Sequence, residues 1–570
     1  MRPMLLGGVA LAVLLMGPAA VADATADAAV RNLIDNPSIC GEPNQAADVA
    51  AGAPVADMVM VEGIGSDGFV VDATPEAQAW FNYGVQLRWA FQHTESVRAF
   101  QKARLLDPQC GLCAWGEAWA MGPNLNGGGR EETVDPAALR IARDARRLAR
   151  DAAPVQRQLI DALIQRYSGR KGSRGDRFAR AMDQIARRNP AEVQIATIAA
   201  DAQMIAADDW WNKDGSPKDR RIGRAMQLLE DGLAREPNDP GAIHLYIHLT
   251  EWSADPHKAI PYGERLAALT PGASHLVHMP SHTFYRVGRY KDALQSNVEA
   301  VALDLKYDGL ARPPGGVKGM PLHGHNIHFG MGGALMAGGA EDGLKLADWF
   351  LRTYADIPAS NVWRQVMAHD AYAIYGRFGS QDRVAALVEP DESRPMLRVS
   401  WRYARGEAAA RRGDAAAVRA EAEAIKALRQ APGLADGPGG EMKAGFTELS
   451  QRVLEGRAAM IEGNADAAVV AFTRAAEIQA GANDGEEGGD PPAIWYPTRR
   501  SLAAALLAKG DAAGAKAKIE ALLEDWPNDP YSYFVLSKAE VALGNTAPGA
   551  EALARSRVEW MGGEMTLAEA

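Results

Sequence analysis

The sequence is short of cysteine, of net positive charge and of long apolar runs, and each shortage excludes a class of protein. Three cysteines, Cys40, Cys110 and Cys113, in 570 residues are too few for a disulfide-built scaffold. A formal net charge of −11 argues against nucleic acid and against an anionic membrane surface as partners. Beyond Met16 no segment is long and apolar enough to span a bilayer. The chain also lacks a phosphate-cradling glycine loop, a nucleophile elbow and a dinucleotide fingerprint.

What is present begins with Met1-Arg2, an apolar run from Met4 to Met16, and Ala20-Val21-Ala22. This pattern predicts a signal peptide over residues 1–22. No cysteine follows the run closely, which argues against a lipoprotein. The Ala- and Gly-rich composition, with Arg over Lys, has a bacterial character, so the expected destination is periplasmic or secreted. Residues 23–74 read as an irregular lead. From Pro75 the chain is helix-periodic, with Gly, Pro or Asp-Pro at intervals that suit helical hairpins. The expected fold is all-α, a solenoid of about ten helical hairpins. It divides into hairpins over 75–215, a histidine-rich centre over 216–355 and further hairpins over 356–570.

Histidine is concentrated. Of 11 histidines, nine lie between Ile243 and Phe329: His244, His248, His257, His275, His278, His282, His323, His325 and His328. His244 with His248, and His278 with His282, are i,i+4 pairs; His275 with His278, and His325 with His328, are i,i+3 pairs. Each group therefore shares one helix face. His244 to His278 and His248 to His282 are both 34 residues, the period of one family of helix–turn–helix repeats. Once an insertion around Pro313–Gly319 is allowed for, His325 takes the same repeat position. His257 and His323 fall outside the pattern.

The residues Trp80, Tyr83, Gly84, Leu87, Phe100, Ala103 and Pro108, and later Leu502, Ala503, Leu506, Ala515, Ile519 and Pro527, follow one register. The chain resembles a tetratricopeptide repeat protein on these residues. More narrowly it resembles a family of secreted bacterial ones with little functional description, through His244-Leu245-Tyr246-Ile247-His248, through Pro271 to His282, and through His325-Asn326-Ile327-His328-Phe329. The resemblance implies that His244, His248, His275, His278, His282 and His325, with Glu251 and Tyr285, occupy the face of the first helix of each repeat that lines the concave groove. His328 would lie nearer the inter-helix joint.

Neutral imidazole suits zinc, copper, iron and nickel. Seven candidate ligands, His244, His248, His275, His278, His282, His325 and His328, exceed what one tetrahedral ion uses. One or two transition-metal ions are expected, copper first and zinc second, because the donors are all nitrogen, carboxylates are scarce and the chain carries an export signal. Glu251 is expected to bridge, to orient a histidine or to act as base on a metal-bound water, with Tyr285 beside it as the second candidate catalytic group. Met279 and Met331 are expected to pack. The groove positions are expected to be exposed, with a slight share in packing, and Pro280 to bend the helix between His278 and His282. Cys110-Gly111-Leu112-Cys113 lacks the histidine of a haem attachment site, so a disulfide is expected. Asp208-Asp209-Trp210-Trp211 and Gly122 to Asn126 are expected at helix ends, with Trp210 and Trp211 plugging a turn. The competing expectation is an interaction scaffold in the cell envelope that binds a peptide or envelope protein by helix-face recognition; besides the metal ion, the groove is expected to suit a small molecule or peptide.

Overall fold

Phe100 shows how the chain makes its hairpins. A Cβ on Gly84 would fall 2.9 Å from the Phe100 ring, and one on Gly116 closer still. Glycine at both places lets helices Pro75–Trp89 and Gly111–Ala120 close on His93–Leu106 between them. The same offset along the chain sets Gly330 against Leu346 and Gly456 against Phe472. The joint between Gly84 and Phe100 is therefore a repeated device.

The computed structural model describes residues 55–66, 68–125, 136–358, 360–430, 434, 440–482 and 496–570. The expected signal peptide, Cys40 and most of the expected lead lie outside the described residues. Among the described residues the fold is all-α, a tetratricopeptide-like succession of helical hairpins; the only strand-like feature is an isolated bridge between Trp211 and Pro217. No described helix is long and apolar enough to cross a membrane. Trp210 and Trp211 are buried in their turn, and the Trp210 indole donates to the Met204 carbonyl at 3.2 Å. Cys110 and Cys113 are joined by a disulfide and are buried.

The array curls, and the curl matters for the centre. One apolar core runs from Met58 to Leu322 and a second from Phe284 to Ala570; the histidine repeats lie where the two meet. From the N-terminal side, the corner after helix Pro75–Trp89 reaches helix Pro240–Thr250. From the C-terminal side, the Asn528 amide donates to the Val287 carbonyl at 3.2 Å and the Tyr290 hydroxyl to the Pro527 carbonyl at 3.0 Å. A Cβ on Gly288 would collide with the Pro527 carbonyl, so this close approach requires glycine.

Candidate metal centre

Asp239 starts helix Pro240–Thr250. One of its carboxylate oxygens accepts from the Ala242 amide at 2.7 Å, with Pro240 in the first turn. The other accepts from Gln194 at 2.6 Å, and Gln194 in turn accepts from the Trp89 indole at 2.9 Å. This chain of bonds docks the helix against the end of Pro75–Trp89. There the backbone makes a Schellman turn: the Gln92 amide donates to Leu87 at 2.9 Å and the Phe91 amide to Arg88 at 3.2 Å. The left-handed position, normally glycine, is Phe91 with φ 55°, at a cost of about 1–2 kcal/mol. Packing offsets that strain. The Phe91 ring lies 4.2 Å from His244, 5.6 Å from His248 and 5.4 Å from His275, centroid to centroid.

A second group forms around Pro280. Helix Ser274–His278 stops, Pro280–Val287 begins, and Met279 between them keeps helical angles. The proline has no N–H to continue the ladder, so the chain breaks where a bend was expected. His278 and His282 then meet His325 from helix His323–Ala337. The Phe329 ring lies 4.8 Å from His278 and 4.5 Å from both His282 and His325.

Two all-histidine triads result, His244/His248/His275 and His278/His282/His325, and a third group, His248/Glu251/His282, shares one histidine with each; in every group the donor atoms lie within 4.8 Å of one another. Glu251 stands between the two triads. Its carboxylate accepts from His282 Nδ1 at 2.6 Å and lies 3.5 Å from His248 Nδ1. All six imidazoles are buried, none more than 5% exposed. This corrects the expectation of an exposed groove: the Trp89–His93 corner and the second core close over it. These side chains are packed residues, and their removal costs more than a surface change.

Hydrogen-bond partners fix which ring nitrogens carry protons. Asn297 donates its amide to the Ala293 carbonyl at 2.7 Å, which leaves its oxygen facing His278 Nδ1 at 2.6 Å. An oxygen only accepts, so His278 carries its proton on Nδ1 and its lone pair on Nε2. The Glu251 carboxylate likewise accepts from His282 Nδ1, which places a proton on that nitrogen. The Nε2 atoms of His278 and His282 then face each other at 3.0 Å, and His325 Nε2 lies 3.0 Å from that of His278. In the first triad His244 Nδ1 donates to the Trp89 carbonyl, which leaves a buried Nε2 without a hydrogen bond; neither ring nitrogen of His275 has one.

Electrostatics favour the neutral rings. Burial, and then the neighbouring imidazoles, push His244, His275, His278 and His325 well below the usual histidine value. Burial alone would raise the Glu251 carboxyl, but His282 and His248 beside it hold it at about 2. The centre thus offers six imidazoles and one carboxylate.

The remaining candidates lie elsewhere. His328 Nε2 sits 3.2 Å from Asp370 and belongs to neither triad. Tyr285 donates its hydroxyl to the Phe329 carbonyl at 2.8 Å and braces the second triad. His323 is buried between Asp304 at 2.9 Å and the Trp349 indole at 2.8 Å. His257 is exposed in the short 3-10 turn Pro256–Ala259, just ahead of helix Ile260–Leu269. Met279 and Met331 pack in the two cores, as expected. Asn297 and Asp304 went unread, although their signal was present: both are polar residues in the buried stripe Ala293, Leu294, Ala300 and Val301 of helix Tyr290–Ala311. Phe91 gave no such signal.

No protein-family description matches this chain, and no curated protein does. Among solved structures it is similar to a human IFIT1 dimer with m7Gppp-AAAA, at 12% identity over 85% of this chain and 95% of that one, TM-score 0.32. It is also similar to the P58(IPK) TPR domain, at 13% identity over 83% and 99%, TM-score 0.23. A third likeness is to Naa15/Naa10 bound to HypK-THB, at 10% identity over 94% and 93%, TM-score 0.21. At these scores neither a ligand nor an activity passes from those proteins to this one.

Proposed function

We propose that this protein is an exported helical-repeat metalloprotein that holds two transition-metal ions, copper ahead of zinc, one in each histidine triad. The observation that carries this reading is the meeting of His278, His282 and His325 through Nε2 at 3.0 Å. Two lone pairs aimed at each other repel unless a proton or a metal ion lies between them, and three rings that converge offer more lone pairs than one proton can bridge. Nitrogens around an ion at about 2.0–2.1 Å stand roughly 3.3 Å apart, close to the spacing found here. Asn297 and Glu251 orient the second triad through the far nitrogens, the usual role of residues behind a metal-binding histidine. Copper leads because two of the three possible donor groups are all imidazole, and only His248/Glu251/His282 brings a carboxylate.

The test is metal analysis of the full chain, produced without a histidine tag and reconstituted with copper or zinc. The expected result is two ions per chain. No bound metal after reconstitution would return the protein to the other reading, a helical-repeat scaffold for partners in the cell envelope.

A further inference from the structure

Each triad has one aromatic ring in contact with all three of its imidazoles, Phe91 on the first and Phe329 on the second. The rings come from different repeats and different local structures: one is the left-handed corner of a Schellman turn, the other lies mid-helix. Both are buried, as are the six histidines. From this arrangement we infer that each triad is a three-coordinate site for monovalent copper, closed by its phenylalanine against a fourth ligand. The inference rests on the metalloprotein reading above and adds the oxidation state and coordination number.

Two physical arguments carry it. The first is coordination. Zinc is almost always four-coordinate, and a catalytic zinc fills its fourth position with water. Divalent copper prefers a tetragonal set of nitrogen and oxygen donors. Here the apolar ring of a phenylalanine lies within 5.6 Å, centroid to centroid, of all three imidazoles of its triad and adds no donor atom there. Monovalent copper, a filled-shell ion, is satisfied by three nitrogens in or near one plane. The second argument is charge. The cost of moving an ion from water to a low-dielectric interior scales with the square of its charge, so a divalent ion costs about four times a monovalent one. Two divalent ions would bring four positive charges to six imidazoles and one carboxylate. Two monovalent ions bring two, and Glu251, set between the triads, offsets half of that. A buried site short of anions therefore selects the smaller charge.

The experiment is an anaerobic titration of the metal-free full chain with Cu(I) held by a chromophoric chelator, followed by challenge with a large excess of Zn(II). The expected result is two Cu(I) per chain, no electron paramagnetic resonance signal, a three-coordinate X-ray absorption edge and no displacement by zinc. Phe329→Ala, which opens one triad, is expected to convert that site alone into one that takes Zn(II), or that gives a Cu(II) signal once the copper-loaded protein is exposed to air, dioxygen being the oxidant. Stoichiometric Zn(II) retained against Cu(I), or a stoichiometric Cu(II) signal when the parent is exposed to air after loading, would overturn the inference and leave the metalloprotein reading intact. Failure to bind any of the three ions would overturn both. If Phe329→Ala does not fold, the spectra of the parent still decide.

Discussion

The two triads are buried alike but held differently. In the second, His278 and His282 each have their far nitrogen fixed, by Asn297 and Glu251, and the near nitrogens converge at 3.0 Å. In the first, His244 is fixed by the Trp89 carbonyl, while neither ring nitrogen of His275 is hydrogen-bonded. The second triad is anchored inside its own repeats. The first depends on a corner brought from the far N-terminal hairpin. Burial alone does not make a metal site; preorganisation by the groups behind the ligands does. The second triad should therefore bind first and more tightly.

The comparison breaks most visibly at His278 and His275. His278→Ala is expected to remove the second ion and to destabilise the metal-free protein by about 2–4 kcal/mol, through a buried cavity and an Asn297 oxygen left unpaired. His275→Ala is expected to remove the first ion at a smaller cost in stability, because it deletes two buried nitrogens that lacked hydrogen bonds. Metal stoichiometry with denaturant midpoints of the metal-free variants checks both. Equal stability losses would show that the two triads are held alike.

Why the difference was hidden from sequence is instructive. Period 34 and the i,i+4 pairs placed six imidazoles on facing helices, because helix geometry is local and repeats copy it. The Gly84–Phe100 joint was legible for the same reason. The closing of the groove was not. It depends on the curl of the array, which sums small rotations over many repeats and brings Trp89 against His244 across more than a hundred residues of chain. Phe91 was invisible because a phenylalanine at a left-handed C′ position contradicts local preference and is held there only by tertiary packing. His328 was misjudged for a simpler reason: sharing a helix with His325 does not give it the same partners, and it faces Asp370.

Glu251 sharpens the comparison, since it lies beside a histidine of each triad. Glu251→Gln keeps the shape but weakens the acceptor that fixes His282 and the charge beside His248. Loss of such a residue behind the ligands typically lowers metal affinity by about 10–100-fold. The second triad is expected to show the larger drop, because its contact is 2.6 Å against 3.5 Å for the first. Competition titrations that resolve the two ions measure this. An unchanged second affinity would leave Asn297 as the anchor that matters.

Acid should act on the metal-free protein through both triads. Burial keeps His244, His275, His278 and His325 neutral in the fold well below 6.5, and His369 down to about 3. In the unfolded chain these groups protonate near 6.5, so unfolding takes up protons below that pH and stability falls as pH falls. Each such group contributes a slope of up to about 1.4 kcal/mol per pH unit. Above about pH 6.5 the same groups contribute no slope. The melting temperature of the metal-free protein is therefore expected to be level between pH 7 and 8 and to drop steeply toward pH 5. A level profile down to pH 5 would mean that the imidazoles accept protons while folded, against the burial described.

The smallest expected effect is at His257, which lies in the same histidine-rich stretch yet is exposed in the turn Pro256–Ala259. His257→Ala should leave the ion count unchanged in both triads and should move stability by no more than about 0.5 kcal/mol, as for an ordinary surface substitution. The comparison has force because it separates two ways a histidine-rich protein can hold metal. Surface histidines bind ions loosely and interchangeably, so removing any one of them lowers the count a little. Enclosed triads bind at fixed places, so His278→Ala removes an ion and His257→Ala removes none. Metal counts on the parent and these two variants, taken after the same reconstitution and gel filtration, distinguish the two cases. Equal losses in both variants would place the metal on the protein surface and leave the buried imidazoles as packing.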